Sequence, residues 1–324
     1  AVKRLCDARP DPGRFLLAGS VRAEAEAPLW PGTGRVVTKR LYGFTQAELA
    51  SSVTTPFIDR CFSGALDPPR SDLDLRDLVE LALCGGFPAT LDLPETVLGE
   101  WLRSYLEQLV ARDLVILRPR ADRELLARFV EASAVKTGAV ADMTAAAAAA
   151  GVNRRTADDY SELLRAVHVL SLLPAWHSNR LKRLTRRPKQ HLVEPALLGP
   201  AAGIDAATVL GEVGLSGRLL ESFVVAQLRA ELEWSATRAR MYHLRLEKGE
   251  HEADVVLEAG GRVVAIEVKA AARVRARDAR HLAWLRDELG DRFQLGVLLH
   301  CGPLPRELDD RLIAAPIETL WRTA

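Results

Sequence analysis

The chain has 324 residues, of which 48% are hydrophobic and 27% charged, an ordinary composition for a globular protein of roughly two to four domains. A formal net charge of +1 excludes a global attraction to nucleic acid or membrane, so any such binding depends on local patches. No apolar run approaches the roughly 20 residues that span a bilayer, and the four scattered cysteines show no metal-binding spacing, so we expect a cytoplasmic protein with reduced thiols and no membrane partner.

The first 65 residues begin with a helix-like segment and continue with two short apolar runs. Residues 14–20 end in Gly-Ser, which is typical of a buried strand leading into a loop, and residues 36–41 predict a second strand. Because two isolated strands do not form a stable sheet, the predicted sheet needs partners that this sequence does not contain.

Residues 66–120 predict a helical segment. Leucines between Leu73 and Leu83 follow helical spacing up to Gly85-Gly86. Pro94 opens a second helix that continues to Leu109 with the same spacing.

Residues 121–200 carry a pattern of three helices followed by two strands. Apolar residues around Leu126 mark the first helix, an alanine-rich second helix ends at Gly151, and Asn153 caps the third. Residues 167–173 and 191–193 predict two strands with a basic connection between them. Three helices and a two-stranded wing predict a winged helix.

The C-terminal region, residues 205–324, alternates helices and strands. A helix around Leu219 precedes a hairpin, residues 253–257 and 263–268, that turns at Gly260-Gly261. The elements predicted after the hairpin are a helix at 282–289, a buried strand at 295–299, a helix at 304–312 and a strand at 317–321. This order predicts an α/β layered domain.

Charged residues on the hairpin predict a metal site. Alternate residues of a strand share a face, so Glu267 and Lys269 lie on one side of the second strand, and Asp254 on the first strand can project to the same side. Glu221, on the preceding helix, is a candidate fourth member. Hard cations such as Mg²⁺ take carboxylate oxygens, and a lysine beside the ion can orient water for phosphodiester cleavage. We expect Asp254, Glu267 and Glu221 to bind Mg²⁺, with Lys269 completing the catalytic set.

An alternative interpretation makes Glu267 and Lys269 an exposed pair on a solvated face of the sheet. A bare ExK sequence is common and does not by itself favour a site. The additional acids, Asp254 and Glu221, on neighbouring elements favour the site interpretation.

Several motifs carry a resemblance to known families. His251-Glu-Ala-Asp254, followed by Ala265-Ile-Glu-Val-Lys269, resembles the PD-(D/E)xK nuclease superfamily. The whole chain resembles AAA-type ATPases of bacteria and archaea that carry a C-terminal domain of unknown function of the DUF4143 type. The matching stretches are residues 13–20, 85–88, 101–106, 112–113, 188–189 and 217–221.

The resemblance implies an α/β multidomain protein with four parts. These are a partial AAA-type α/β core at residues 1–65, a helical segment at 66–120, a winged helix at 121–200 and a restriction-endonuclease-like α/β domain at 205–324. It further implies that Ser20 is the polar sensor residue near a nucleotide phosphate. No GxxxxGK[ST] phosphate-binding loop occurs in these 324 residues. We therefore expect a fragment of a longer protein, with ATP as a cofactor only if the missing N-terminal region is present.

Basic residues predict a nucleic-acid surface. The connection between the two wing strands holds six basic residues and no acidic one, namely Arg180, Lys182, Arg183, Arg186, Arg187 and Lys189. On a wing such residues contact phosphates, and Arg154 and Arg155 stand where a recognition helix meets DNA. The alternatives are a solvated basic loop and a winged helix that serves only for packing.

Two functional hypotheses follow. The first is a Mg²⁺-dependent nuclease-like enzyme, with DNA as its expected partner and RNA as the second choice. The second is a non-catalytic module that binds DNA or a protein and is regulated by the ATPase core. Lys269→Ala should abolish cleavage without loss of affinity in the first case, whereas Arg183, Arg186 or Arg187 should matter in the second. Neither hypothesis predicts the oligomeric state.

Overall fold

The computed structural model describes residues 2–9, 11–18, 34–51, 55–110, 122–183, 186–246 and 250–324, without the side chains of Glu95 and Arg180. The chain divides into two compact units, Ala1–Arg40 and Leu41–Ala324. In the first unit, helix α1 (Val2–Ala8) confirms the predicted N-terminal helix.

The two strands predicted near the N-terminus are wrong for the residues that the structure describes. Residues 14–18 and 36–41 have no regular secondary structure. A strand needs hydrogen-bonding neighbours, and within the described part of the chain none pairs with these segments. Residues 19 and 20, which complete the first predicted strand, lie outside the described residues.

Helices make up most of the second unit up to residue 110. They are α2 (Gln46–Leu49), α3 (Phe57–Ser63), α4 (Leu75–Cys84) and α5 (Glu95–Gln108). The Asp74 side chain caps α4 by accepting hydrogen bonds from the backbone N–H groups of Arg76 and Asp77. The helix ends at Gly85, whose φ of 72° is a conformation that suits glycine. Helices α4 and α5 confirm the two predicted from leucine spacing.

The next region contains three helices and a two-stranded sheet. The helices are α6 (Arg123–Val135), α7 (Met143–Ala150) and α8 (Arg154–Ala166). Strands β1 (Leu170–Leu173) and β2 (Lys189–Leu192) pair antiparallel, with the short helix α9 (Arg180–Arg183) between them. Gly151 ends α7 and Asn153 caps α8 through the Thr156 N–H. The three predicted helices and two predicted strands are present in the predicted order, and the short helix α9 is an element that was not predicted.

A long helix and a six-stranded mixed sheet complete the chain. Helices α10 (Leu198–Ala202) and α11 (Ala206–Gly211) lead into α12 (Val213–Glu231). The strands are β3 (Arg240–Arg245), β4 (Glu252–Ala259), β5 (Arg262–Lys269), β6 (Phe293–His300), β7 (Arg306–Asp309) and β8 (Leu312–Pro316), and α13 (Arg280–Leu289) joins β5 to β6. Their order in the sheet is β3-β4-β5-β6-β8-β7, with β5–β6 and β6–β8 parallel and the other pairs antiparallel.

Three features of this region differ from the sequence predictions. Residues 304–312, predicted as a helix, form β7 and a tight turn at Arg311, where φ is 54°. Residues 317–321, predicted as a strand, follow Pro316 as the 3₁₀ helix Ile317–Leu320. Strands β3 and β8 and the short helices α10 and α11 were not predicted. The four-residue spacing of leucines at 304–312 suits a helix, but antiparallel pairing with β8 extends this segment.

The sheet has a hydrophobic core on each face. Val255 and Ile266 pack in the core that contains α12, whereas Val256 and Ala265 pack in the core that contains Leu282 of α13. Because alternate residues share a face, Glu267 and Lys269 lie on the α13 side at the end of β5. The fold thereby positions the charged end of the hairpin beside α13.

Candidate functional site

Asp254 and Glu267 oppose each other on neighbouring strands. Val255 pairs with Ile266, and the preceding Asp254 therefore faces Glu267 one position beyond the last paired residues. One Asp254 carboxyl oxygen accepts a hydrogen bond from the Val268 backbone N–H at 2.9 Å. This bond holds the Asp254 carboxylate at the end of the hairpin.

Glu267 and Lys269 form an ion pair on one face of β5. The Lys269 Nζ donates to Glu267 Oε1 at 2.7 Å. Glu267 is only 5% exposed, and its Oε2 atom is buried without a hydrogen-bond partner among the described residues. The Lys269 side chain is 38% exposed and reaches solvent. The interpretation of an exposed pair on a solvated face is therefore wrong for Glu267.

Lys189 places a second ammonium beside these carboxylates. Its predicted position on an exposed basic wing is therefore wrong. Its side chain is 2% exposed, and its Nζ lies 2.8 Å from Glu221 Oε1 and 2.9 Å from Asp254 Oδ1. Glu252 Oε1 is 3.2 Å from the same nitrogen. Lys189 on β2 thus points into the protein. Because it is buried and paired with these three carboxylates, it cannot contact a phosphate at the surface. We call Glu221, Glu252, Asp254 and Glu267 the carboxylate cluster.

Burial and neighbouring charges shift the pKa values of these carboxyls in different directions. Burial, followed by the negative charge of Asp254, raises the pKa of Glu267 to about 8 and that of Glu221 well above its usual value. Burial also acts to raise the pKa of Asp254, but the Lys189 ammonium and the Val268 N–H together hold that pKa below its usual range. These opposite shifts keep Asp254 charged at neutral pH and make Glu267 and Glu221 easier to protonate than ordinary glutamates.

The carboxylate oxygens of the cluster are of the type that binds Mg²⁺. While Lys189 occupies the cluster, however, they are not arranged around a space for a metal ion. Asp254, Glu267 and Glu221 supply the oxygens that a hard cation takes, and Glu267 Oε2 is buried without a partner. Among the residues described, no three His, Cys, Asp or Glu side chains are placed to hold a metal ion. The Lys189 ammonium is hydrogen-bonded to two of the three predicted ligands.

Two other members of the predicted basic surface make internal contacts instead. The Arg183 side chain is 9% exposed and pairs with Glu258 of β4 at 2.6 Å, which contradicts its predicted contact with phosphate. Arg186 donates to the Arg245 backbone oxygen at 3.0 Å. These residues join the β1–β2 connection to the six-stranded sheet.

The remaining predicted contacts stay at the surface or lie outside the description. Arg187 is exposed and lies 3.6 Å from Asp142, and Arg154 pairs with Asp158 at 3.0 Å. Arg155 and Lys182 are exposed. The Arg180 side chain and the whole of Ser20 lie outside the described residues, so their predicted roles stay predictions.

An exposed arginine segment that we did not single out from the sequence borders the site. The arginine segment, residues 273–280, follows Lys269 and ends at the first residue of α13. It holds four exposed arginines and one acid, Asp278. Burial, followed by the charges of Arg280, His251 and Lys269, lowers the pKa of His281 beside the segment. Among the described residues, none forms a hydrogen bond or ion pair with the side chain of Arg273 or Arg280. The signal was present in the sequence as a basic run directly after the ExK motif.

Comparison with known proteins finds two family models and two curated relatives. Residues 75–208 match a model described as Domain of unknown function (DUF8612), and residues 216–320 match Domain of unknown function (DUF4143). The predicted similarity of the C-terminal region to DUF4143 is confirmed. Uncharacterized proteins of Mycobacterium bovis and Mycobacterium tuberculosis are each 27% identical to the chain over 329 residues. The chain is covered to 99% but spans only 66% of each relative.

The two matches divide the carboxylate cluster from its internal cation. Lys189 lies in the first matched region, whereas Glu221, Asp254, Glu267 and Lys269 lie in the second.

None of the helices in the described parts of the chain is long and apolar enough to cross a membrane.

Proposed function

We propose that this chain is a nucleic-acid-associated protein whose C-terminal region cleaves phosphodiester bonds with Mg²⁺. The observation that supports this most is the pair of opposed, buried carboxyls of Asp254 and Glu267 beside the solvent-reaching ammonium of Lys269. Hard cations and polyanionic substrates need this combination of side chains. Mg²⁺ held by Asp254, Glu267 and Glu221 would neutralise the phosphate and lower the pKa of bound water.

Each residue then has a distinct task. Lys269 would contact a non-bridging phosphate oxygen of the substrate while it stays hydrogen-bonded to Glu267. The Val268 N–H keeps the Asp254 carboxylate oriented toward the cluster. The exposed Arg273 and Arg280 would bind phosphates that flank the cleaved bond.

A second candidate function is a non-catalytic module that binds DNA or a protein and is regulated by an ATPase. The ion pairs of Lys189 with Glu221 and Asp254 favour it, because an internal ammonium neutralises carboxylates that Mg²⁺ would need. ATP enters either proposal only through a longer protein, since these 324 residues contain no GxxxxGK[ST] loop.

A cleavage assay separates the two proposals. Wild type, Lys189→Ala and Lys269→Ala are incubated with end-labelled single-stranded DNA, duplex DNA and RNA, in Mg²⁺ or in EDTA. We expect Mg²⁺-dependent cleavage of at least one substrate by wild type or by Lys189→Ala. Lys269→Ala, in the background that cleaves, should lower the rate by about 100-fold, the typical effect of removing one group that stabilises developing charge.

The control variant is Lys136→Ala, which removes an exposed lysine of α6's C-terminal end far from the hairpin in sequence. Its cleavage rate and nucleic-acid affinity should match those of the parent. If neither wild type nor Lys189→Ala cleaves any substrate while both bind nucleic acid, the enzyme proposal is contradicted and the module remains.

A further inference from the structure

Lys189 reaches the carboxylate cluster from a different part of the chain. It lies on β2, whereas Glu221 is on α12 and Glu252 and Asp254 are on β4. Its Nζ is within 3.2 Å of all three carboxylates. The side chain is almost completely buried, so water and salt screen these contacts only weakly. A single ammonium therefore neutralises acids from two elements of the C-terminal region.

An ammonium and a divalent cation compete for the same carboxylate oxygens. Each is stabilised by the negative charge of Glu221 and Asp254, and the two cations would repel each other at contact distance in a buried site. Both hydrogen bonds of Lys189 at 2.8 and 2.9 Å engage residues that we propose as Mg²⁺ ligands. A divalent ion can bind both ligands only after the ammonium has left them.

Two buried polar atoms beside these ion pairs have no hydrogen-bond partner among the described residues. One is Glu267 Oε2, and the other is the Nε2 atom of His191, which lies 3.8 Å from Glu221 Oε1. A buried polar atom without a partner costs free energy, and a ligand that supplies the missing partner removes that cost. One of these atoms belongs to the carboxylate cluster and the other lies beside it, so both are available to a ligand that binds there.

We propose that Lys189 is the resident cation of the carboxylate cluster and closes it to divalent cations, which bind only when Lys189 is withdrawn. This inference rests on the proposed function for the identity of the metal ligands and names the regulation of that site. Neighbouring contacts of β2 hold the strand that carries Lys189 against α12. His191 of β2 is hydrogen-bonded to Ser222 of α12 at 3.0 Å, and Ser222 in turn to Thr137 at 2.7 Å.

Calorimetric titration with Mn²⁺ tests the inference without reference to cleavage. The full chain is compared as wild type, Lys189→Ala and Lys189→Gln, with Arg183→Ala as the matched control. Arg183 is also a buried cation that joins the β1–β2 connection to β4, but it pairs with Glu258 outside the cluster. We expect Lys189→Ala and Lys189→Gln to bind Mn²⁺ at least tenfold more tightly than wild type, and Arg183→Ala to show no gain.

Thermal unfolding in Mn²⁺ and in EDTA provides a second readout. The melting temperatures of Lys189→Ala and Lys189→Gln should rise with Mn²⁺ more than that of wild type, because bound metal restores the lost positive charge. Folding of these variants only in the presence of Mn²⁺ would support the inference equally. Failure to fold in either condition would overturn it, since the metal would then not replace Lys189.

Other outcomes distinguish this inference from the proposed function. If wild type binds Mn²⁺ as tightly as Lys189→Ala, Lys189 does not close the site, whether or not the protein cleaves nucleic acid. If Lys189→Ala gains Mn²⁺ binding and still cleaves no substrate, the resident-cation role stands and the proposed nuclease activity fails.

Discussion

Three buried glutamates of the C-terminal region show how local surroundings decide the charge of a carboxyl. Glu267 and Glu221 belong to the carboxylate cluster, while Glu231 lies at the end of α12 and accepts a hydrogen bond from the Ile58 N–H. Burial is the largest cause that raises the pKa of each. Asp254, as buried as they are, keeps a lowered pKa because Lys189 and the Val268 N–H stabilise its charge.

Glu231 gives a pH prediction that does not involve the metal question. Its pKa is raised from 4.5 to about 7, so the native state retains a proton that the unfolded chain releases. The contribution of this proton to the free energy of unfolding is fully present below pH 4.5 and is lost as the pH rises through about 7. Glu231→Gln does not titrate and can still accept the Ile58 hydrogen bond. Its unfolding free energy relative to wild type should increase from pH 5 to pH 8 by up to about 3 kcal/mol.

Urea unfolding at several pH values measures this difference. The exposed Glu131→Gln serves as the control for removing a carboxyl from the surface. Equal pH dependence of wild type and Glu231→Gln would show that Glu231 does not retain its proton on folding.

At the scale of elements, the segment between β5 and α13 gives a prediction about nucleic acid. Arg273 and Arg280 are exposed and have no ion-pair partner among the residues described, unlike Arg183 and Lys189 of the predicted wing. The double variant Arg273→Glu, Arg280→Glu should bind single-stranded DNA or RNA at least tenfold more weakly and with a smaller dependence on salt. Fluorescence anisotropy in EDTA measures this affinity without cleavage.

The matched variant for this experiment is Arg155→Glu, at an exposed position of α8, the predicted recognition helix. If Arg155→Glu weakens binding and the double variant does not, the surface of α8 is the contact and the arginine segment is a solvated face. Loss of binding in both variants would indicate a path of nucleic acid across both elements.

Elements built from contacts close in sequence could be predicted, including those that carry the site. The apolar runs of β4 and β5 and the two glycines between them predicted the hairpin, and both Gly260 and Gly261 have positive φ, at 56° and 81°. The spacing of Glu267 and Lys269 then indicated a shared face correctly. Periodicity within one strand was enough for these features.

Contacts between distant segments could not be predicted in the same way. Lys189 precedes Asp254 by 65 positions, and nothing in a basic run shows that one of its members turns inward while Arg187 stays exposed. The β7 segment failed for a related reason, because pairing with β8 outweighs the helical spacing of its leucines. In both segments, contacts with residues distant in sequence determine the structure.

At the scale of the molecule, one hydrophobic cluster crosses the boundary between the two matched regions. It contains Phe129 of α6, Leu164 of α8, Phe223 of α12 and Ile266 of β5, all buried. The ion pairs of Lys189 and Arg183 cross the same boundary. Regions 75–208 and 216–320 therefore share a core in addition to their polar contacts.

This shared core predicts that residues 41–324 unfold as one cooperative unit. Separating the two regions would expose apolar surface from both and leave the carboxylate cluster without its ammonium, and each change disfavours a half-unfolded state. Scanning calorimetry should give a calorimetric enthalpy for this unit equal to the van 't Hoff enthalpy. Hydrogen exchange near the midpoint should show amides of α6 and β5 losing protection together. Two resolved transitions, with α6 unprotected while β5 remains protected, would show that the shared core does not couple the regions. Lys189 could then leave the cluster with little loss of stability in the rest of the fold.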